Sequence, residues 1–108
     1  MSAQIVHIVM WRMNGANAGE RLSQARTAVA AFEATRGTIA GVLDMQVGVN
    51  VVDAPDAWDL ALSMRFENRA ALEAYAHHPA HLEIKKLVGP LRMDRKQVDF
   101  EWNPARSV

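Results

Sequence analysis

The segment that most constrains the fold is Gln4 to Met13, QIVHIVMWRM, which is rich in the β-branched and aromatic residues that suit a strand. Successive side chains of a strand point to opposite faces. One face therefore carries Ile5, His7, Val9, Trp11 and Met13, and the other Val6, Ile8 and Met10. Both faces are apolar, so water can cover neither of them and the strand must be buried in the middle of a layered structure. The chain has 108 residues, half of them hydrophobic, which predicts one domain with a core of its own and excludes intrinsic disorder.

The remaining patterns supply the layers. Asn14 to Gly19 reads as a loop, and Glu20 to Arg36 as a helix with Leu22, Ala25, Val29 and Phe32 on one side. Gly37 is placed to end it in a left-handed conformation. Val42 to Val51 alternates as a half-buried strand, and Trp58, Leu60, Leu62, Met64 and Phe66 alternate as another. The turn Asp53-Ala54-Pro55-Asp56 between them predicts antiparallel pairing. Asn68 is a helix N-cap for a short helix through Ala76, and a second helix runs from Pro79 to about Val88, ended by Gly89-Pro90. Gln97 to Trp102 is the fourth strand, followed by a loose tail over 103–108. Strand, helix, strand, strand, helix pair, strand is the split β-α-β order of an α+β, ferredoxin-like fold. Such a fold is a four-stranded antiparallel sheet with helices on one face, here a single domain over 1–108 with its core at about 4–102. The apolar Val6, Ile8 and Met10 on the helix-free face then call for a second copy of the chain, and a homodimer is expected.

Twelve basic and twelve acidic side chains give zero formal net charge, with no basic stripe for nucleic acid. Lys85-Lys86 reads as a solvated helix face. Cysteine is absent, which excludes disulfides, thiolate nucleophiles and cysteine-based metal centres. The apolar run Ile5 to Trp11 is too short to span a bilayer and does not have the form of a secretory signal, so a cytoplasmic location is expected.

Chemistry concentrates at Tyr75-Ala76-His77-His78-Pro79-Ala80-His81, which holds the single tyrosine and three of the four histidines. Proline is excluded from a helix interior and favoured at a first helical position, so one helix ends near Ala76 and another begins at Pro79. The corner turns Tyr75 and His81 toward a common space. His78 can serve the corner by bonding to free backbone groups at the new helix start, and His77 is expected to face solvent. The His77, His78 and His81 spacings resemble helical metal-ligand pairs only superficially, because Pro79 breaks the geometry and a third ligand is wanting. No metal and no cofactor is expected.

The opening Ile5-Val6-His7-Ile8-Val9 strand, the long first helix, Gly41-Val42, the Phe66-Glu67-Asn68 strand exit, the Tyr75 to His81 corner and the closing Val98-Asp99-Phe100-Glu101 strand together resemble the stress-responsive α/β-barrel (Dabb) family. The His-Pro-Ala-His element after the tyrosine is the most specific part of that resemblance. It implies a dimer whose two sheets close into a barrel, with a pocket between each sheet and its own helices. In polyketide cyclases of that family the tyrosine and the second histidine of the element act in acid–base ring closure, roles that fall by position on Tyr75 and His81. A first-strand histidine that lines the pocket corresponds to His7. A third-strand histidine of those cyclases has no counterpart in Trp58-Asp59-Leu60-Ala61-Leu62.

With Tyr75 as hydrogen-bond donor and His81 as base, the chain could carry out an aldol-type cyclisation, an enolisation or an isomerisation without a cofactor. A pocket formed by His7, Val9, Trp11, Leu60, Met64, Ile84 and Val88 suits an apolar carbonyl compound. Two other readings are a dimer that holds such a ligand without converting it, and a monooxygenase-like protein for heme or quinol-type substrates using Trp11, Trp58, Trp102 and Met64.

Overall fold

The computed structural model describes residues 3–103. The elements are β1 (Gln4–Met13), α1 (Ala18–Glu33), β2 (Val42–Val49), β3 (Leu60–Phe66), α2 (Arg69–Ala76), α3 (Pro79–Val88), a short 3₁₀ turn (Gly89–Leu91) and β4 (Arg92–Trp102). The strands form one antiparallel sheet in the order β2-β3-β1-β4, a ferredoxin-like arrangement. Of the tail expected over 103–108, positions 104–108 lie outside the described residues.

β1 is an interior strand, hydrogen-bonded to β3 on one side and β4 on the other, as its two-sided apolar character requires. Ile5, Val9, Trp11 and Met13 are buried beneath the helices together with Leu60, Leu62, Met64 and Phe66 of β3. α1 starts two residues earlier than expected because Asn17, whose side chain accepts from Glu20 N at 2.9 Å, caps it. It buries Ala25, Ala28 and Phe32 rather than the whole expected stripe, and Leu22 is 37% exposed. α1 ends at Glu33, short of Arg36, and a run of turns leads to Gly37 at φ +76°. β3 begins at Leu60 instead of Trp58.

β4 differs most from expectation. It begins at Arg92, five residues before the side-chain alternation becomes apolar. Its pairing with β1 runs from Gln4↔Trp102 to Met13↔Arg92, and that ladder of backbone hydrogen bonds fixes the strand where side-chain pattern does not. Residues directly opposite on antiparallel strands share a face. Arg95, Gln97, Asp99 and Glu101 therefore lie on the helix side, opposite Trp11, Val9, His7 and Ile5. Val98 and Phe100 join Val6, Ile8 and Met10 on the other face, where Met10, Val98 and Phe100 are exposed.

Candidate functional site

The corner between α2 and α3 is built locally. Asn68 caps α2 by accepting from Ala71 N at 2.9 Å. His78 caps α3, its Nδ1 accepting from Ala80 N at 3.0 Å, with Pro79 at the first helical position. His77 is exposed beyond the end of α2. His78 thus builds the turn, and Tyr75 and His81 are left to meet across it. Their ring centroids lie 4.4 Å apart, the planes tilted by 39°.

Tyr75 is almost fully buried and also touches the imidazole of His7 edge-on, at 6.1 Å between centroids. Its hydroxyl has no hydrogen-bond partner among the described residues, yet it is not sealed off from open space. Burial pushes its pKa up to about 12, against a smaller opposing effect of Arg95, so the phenol remains protonated at physiological pH. Burial lowers the pKa of His81 from its ordinary value against the opposing hydrogen bond to the Ala76 carbonyl, and the cations Lys85 and Arg95 add to the lowering. The ring is then neutral near pH 7. Its Nδ1 lies 3.2 Å from the Ala76 carbonyl, which fixes the proton there and leaves the Nε2 lone pair free.

His7 is the one buried polar residue of the sheet among the described residues. Its Nδ1 lies 2.5 Å from Asp99 Oδ1, and the other carboxylate oxygen of Asp99 accepts from Gln97 Nε2 at 2.7 Å. An ionised carboxylate only accepts, so the hydrogen bond places a His7 proton on Nδ1. Sequence reasoning missed Asp99. The available signal was register: pairing the strands as they fall puts Asp99 opposite His7.

These groups share one cavity of about 430 Å³ between the sheet and the helices. Of the residues expected to line it, His7, Val9, Trp11, Tyr75, His81, Ile84 and Val88 do so. Leu60 and Met64 do not. Both are in the buried core, but the cavity opens over β1 and β4, and only Leu62 of β3 reaches it. Met64 lies opposite Met45 of β2 and, with Ile39 and Val42, lines a smaller cavity away from the histidines. The wall that sequence reasoning missed is polar: Arg92, Arg95 and Gln97 of β4, facing the apolar Phe32, Leu72 and Ile84. Trp58 and Trp102 lie outside this cavity, Trp58 under Arg12 and Trp102 under Arg65 in cation–π contacts. Among the described residues no three of His, Cys, Asp and Glu converge closely enough to hold a metal ion, and no helix is long and apolar enough to cross a membrane.

Comparison with known proteins agrees with this architecture. The chain is 31% identical over 77 residues to an uncharacterised protein of Streptomyces coelicolor, a match covering 71% of this chain and 78% of that protein. A dimeric protein of unknown function with a ferredoxin-like fold from Bacteroides fragilis superposes with a TM-score of 0.80 at 27% identity, over 92% of this chain and 96% of that one. The hydroxynitrile lyase of Passiflora edulis shares the fold, with a TM-score of 0.77 at 17% identity over 96% of this chain and 97% of the lyase. The model of the stress responsive A/B barrel domain, Dabb, matches residues 5–102, so the chain belongs to the Dabb family.

Proposed function

We propose that this chain is a homodimeric, cofactor-independent acid–base enzyme that acts on a small apolar carbonyl compound held between its sheet and its helices. The observation that carries the reading is the Tyr75 hydroxyl. It is protonated, unpaired among the described residues and open to a cavity in which two imidazoles flank its ring. A protonated hydroxyl that no protein group engages and that opens into the cavity is a donor free to bond to a substrate carbonyl.

In this reading the carbonyl oxygen accepts from Tyr75. His81 Nε2 removes a proton from the adjacent carbon, the C–H electron pair becomes a carbon–carbon double bond, and the carbonyl π pair moves onto oxygen as an enolate that the phenol stabilises. Return of the proton to another carbon, or attack of the enolate carbon on a second carbonyl, completes an isomerisation or a ring closure. His81 is partly exposed, so its proton can exchange with solvent. His7 lines the same space, its ring held in orientation by Asp99. Proton transfer by positioned groups contributes about 10²–10⁴-fold. Dimerisation is supported by the dimeric Bacteroides relative and by the uncovered apolar sheet face.

The test is hydrogen exchange at the α-carbon of benzylacetone in D₂O, followed by proton NMR. Wild type should accelerate exchange above buffer, and Tyr75→Phe and His81→Ala should each lose most of that acceleration. Equal rates in wild type and both variants would remove the catalytic reading.

A further inference from the structure

The cavity wall supplied by β4 carries more positive charge than the fold needs. Arg92 and Arg95 line it from β4, and Lys85 lines it from α3. None of the three side chains forms an ion pair or hydrogen bond among the described residues, although Lys86, next to Lys85 on the same helix, bonds to Glu83. With Glu73 the one carboxylate in the lining, three cations without an ion pair leave a local excess of positive charge. Two carboxylates are close by. Asp99 is occupied by His7 and Gln97, and Glu73 is an exposed side chain on α2.

Arg95 is the central one. It projects to the helix side opposite Trp11, is partly withdrawn from water and lies in the field of the Tyr75 phenol. Burial, foremost, and neighbouring Arg92 pull its pKa down from the ordinary arginine value, while Asp99 and Tyr75 act in the opposite direction. A partly buried guanidinium without a partner is unfavourable, and its fork of donors matches a carboxylate.

We propose that the ligand of this cavity is anionic, a carboxylate-bearing carbonyl compound whose carboxylate binds Arg95, with Arg92 and Lys85 guiding it in. The carbonyl then meets Tyr75, and the apolar body lies against Val9, Trp11, Leu62 and Ile84. The inference rests on the carbonyl-binding reading above and narrows its substrate class.

Benzylpyruvate and benzylacetone test it, because they differ only in a carboxylate replacing a methyl group next to the ketone. Binding is measured by calorimetry with wild type, Arg95→Gln and Lys85→Gln. Wild type should bind benzylpyruvate about tenfold or more tighter than benzylacetone, as a charge-assisted bidentate pair implies. That advantage should shrink in high KCl, vanish in Arg95→Gln and fall by a smaller factor in Lys85→Gln. Lys85 is exposed on a helix surface, so this variant and the salt titration carry the test if Arg95→Gln does not fold. Equal affinity for the two ligands, insensitive to salt, would overturn the anionic ligand and leave the carbonyl site standing. Failure of wild type to bind either would remove both.

Discussion

His7 on β1 and Asp99 on β4 face each other across a strand pair, Nδ1 to Oδ1 at 2.5 Å, although 92 residues separate them in sequence. The contact exists because His7 is opposite Asp99 in the register. Removing the carboxylate should therefore change the ring's proton and not the fold. Nitrogen NMR should show His7 protonated on Nδ1 in wild type and shifted toward the Nε2-protonated tautomer in Asp99→Ala. An unchanged tautomer would mean that Asp99 does not orient the ring.

The depressed pKa of His81 predicts a pH dependence of stability. The unfolded chain protonates this histidine at about 6.5, whereas the folded chain does so only at lower pH. Between those values the unfolded state binds more protons, so the stability present above pH 6.5 is lost as pH falls through the folded value. The decline in melting temperature on acidification from neutral pH should be shallower in His81→Gln. Identical profiles would show that His81 titrates as in the unfolded chain.

Tyr75 works at the other end of the scale. Its pKa is raised from 10 to about 12, so its contribution is complete below pH 10 and is lost as pH rises through about 12. At 1.36 kcal/mol per unit, the loss is on the order of 2–3 kcal/mol. Tyr75→Phe should lose less stability than wild type between pH 10 and pH 12 in urea titrations. Parallel curves would contradict the shift.

Gly41 places β2 next to α2. It has φ +85°, and an added Cβ would lie 2.6 Å from Ala71 Cβ on the helix that carries Tyr75. Its carbonyl also accepts from Glu67 N at 2.9 Å, which pins the segment in place. Gly41→Ala should destabilise by about 1–3 kcal/mol, from the strained backbone and the clash together. Gly48→Ala, with nothing within 4 Å of the new Cβ and no positive φ, is the control and should lie near wild type. Equal melting temperatures for the two variants would show that α2 moves aside freely.

Phe100 and Val98 extend the apolar patch of Met10 on the helix-free face of the sheet. Phe100→Asp should convert a dimer into a monomer in light scattering, because a buried unpaired charge opposes the interface. A dimer that persists would place the interface elsewhere.

The Tyr75–His81 corner is legible in the residues themselves, because Pro79 and the cap residues Asn68 and His78 act on backbone groups only a few positions away. The same holds for β1, whose bounds Gln4 and Met13 follow from an uninterrupted pattern. α1 is less legible: alanines dominate its buried side, and burial of Ala28 in place of Leu22 depends on how the helix is rolled against the sheet. The cavity lining follows the same division. Residues of β1 and α3 are placed by periodicity, whereas Leu60 and Met64 have the right parity but lie under different cover.

By itself, then, the sequence determined the strand-helix order, the corner, and the tyrosine and histidines that meet there, since local chemistry and period decide these. Tertiary structure alone decided what stands opposite them. The register of β4 on β1 depends on where the turn before β4, bonded to Asn14 through Leu91 and Pro90, delivers the strand, and on which residues its two faces meet. That register turns Arg95, Gln97 and Asp99 inward and gives an apolar cavity its charged wall.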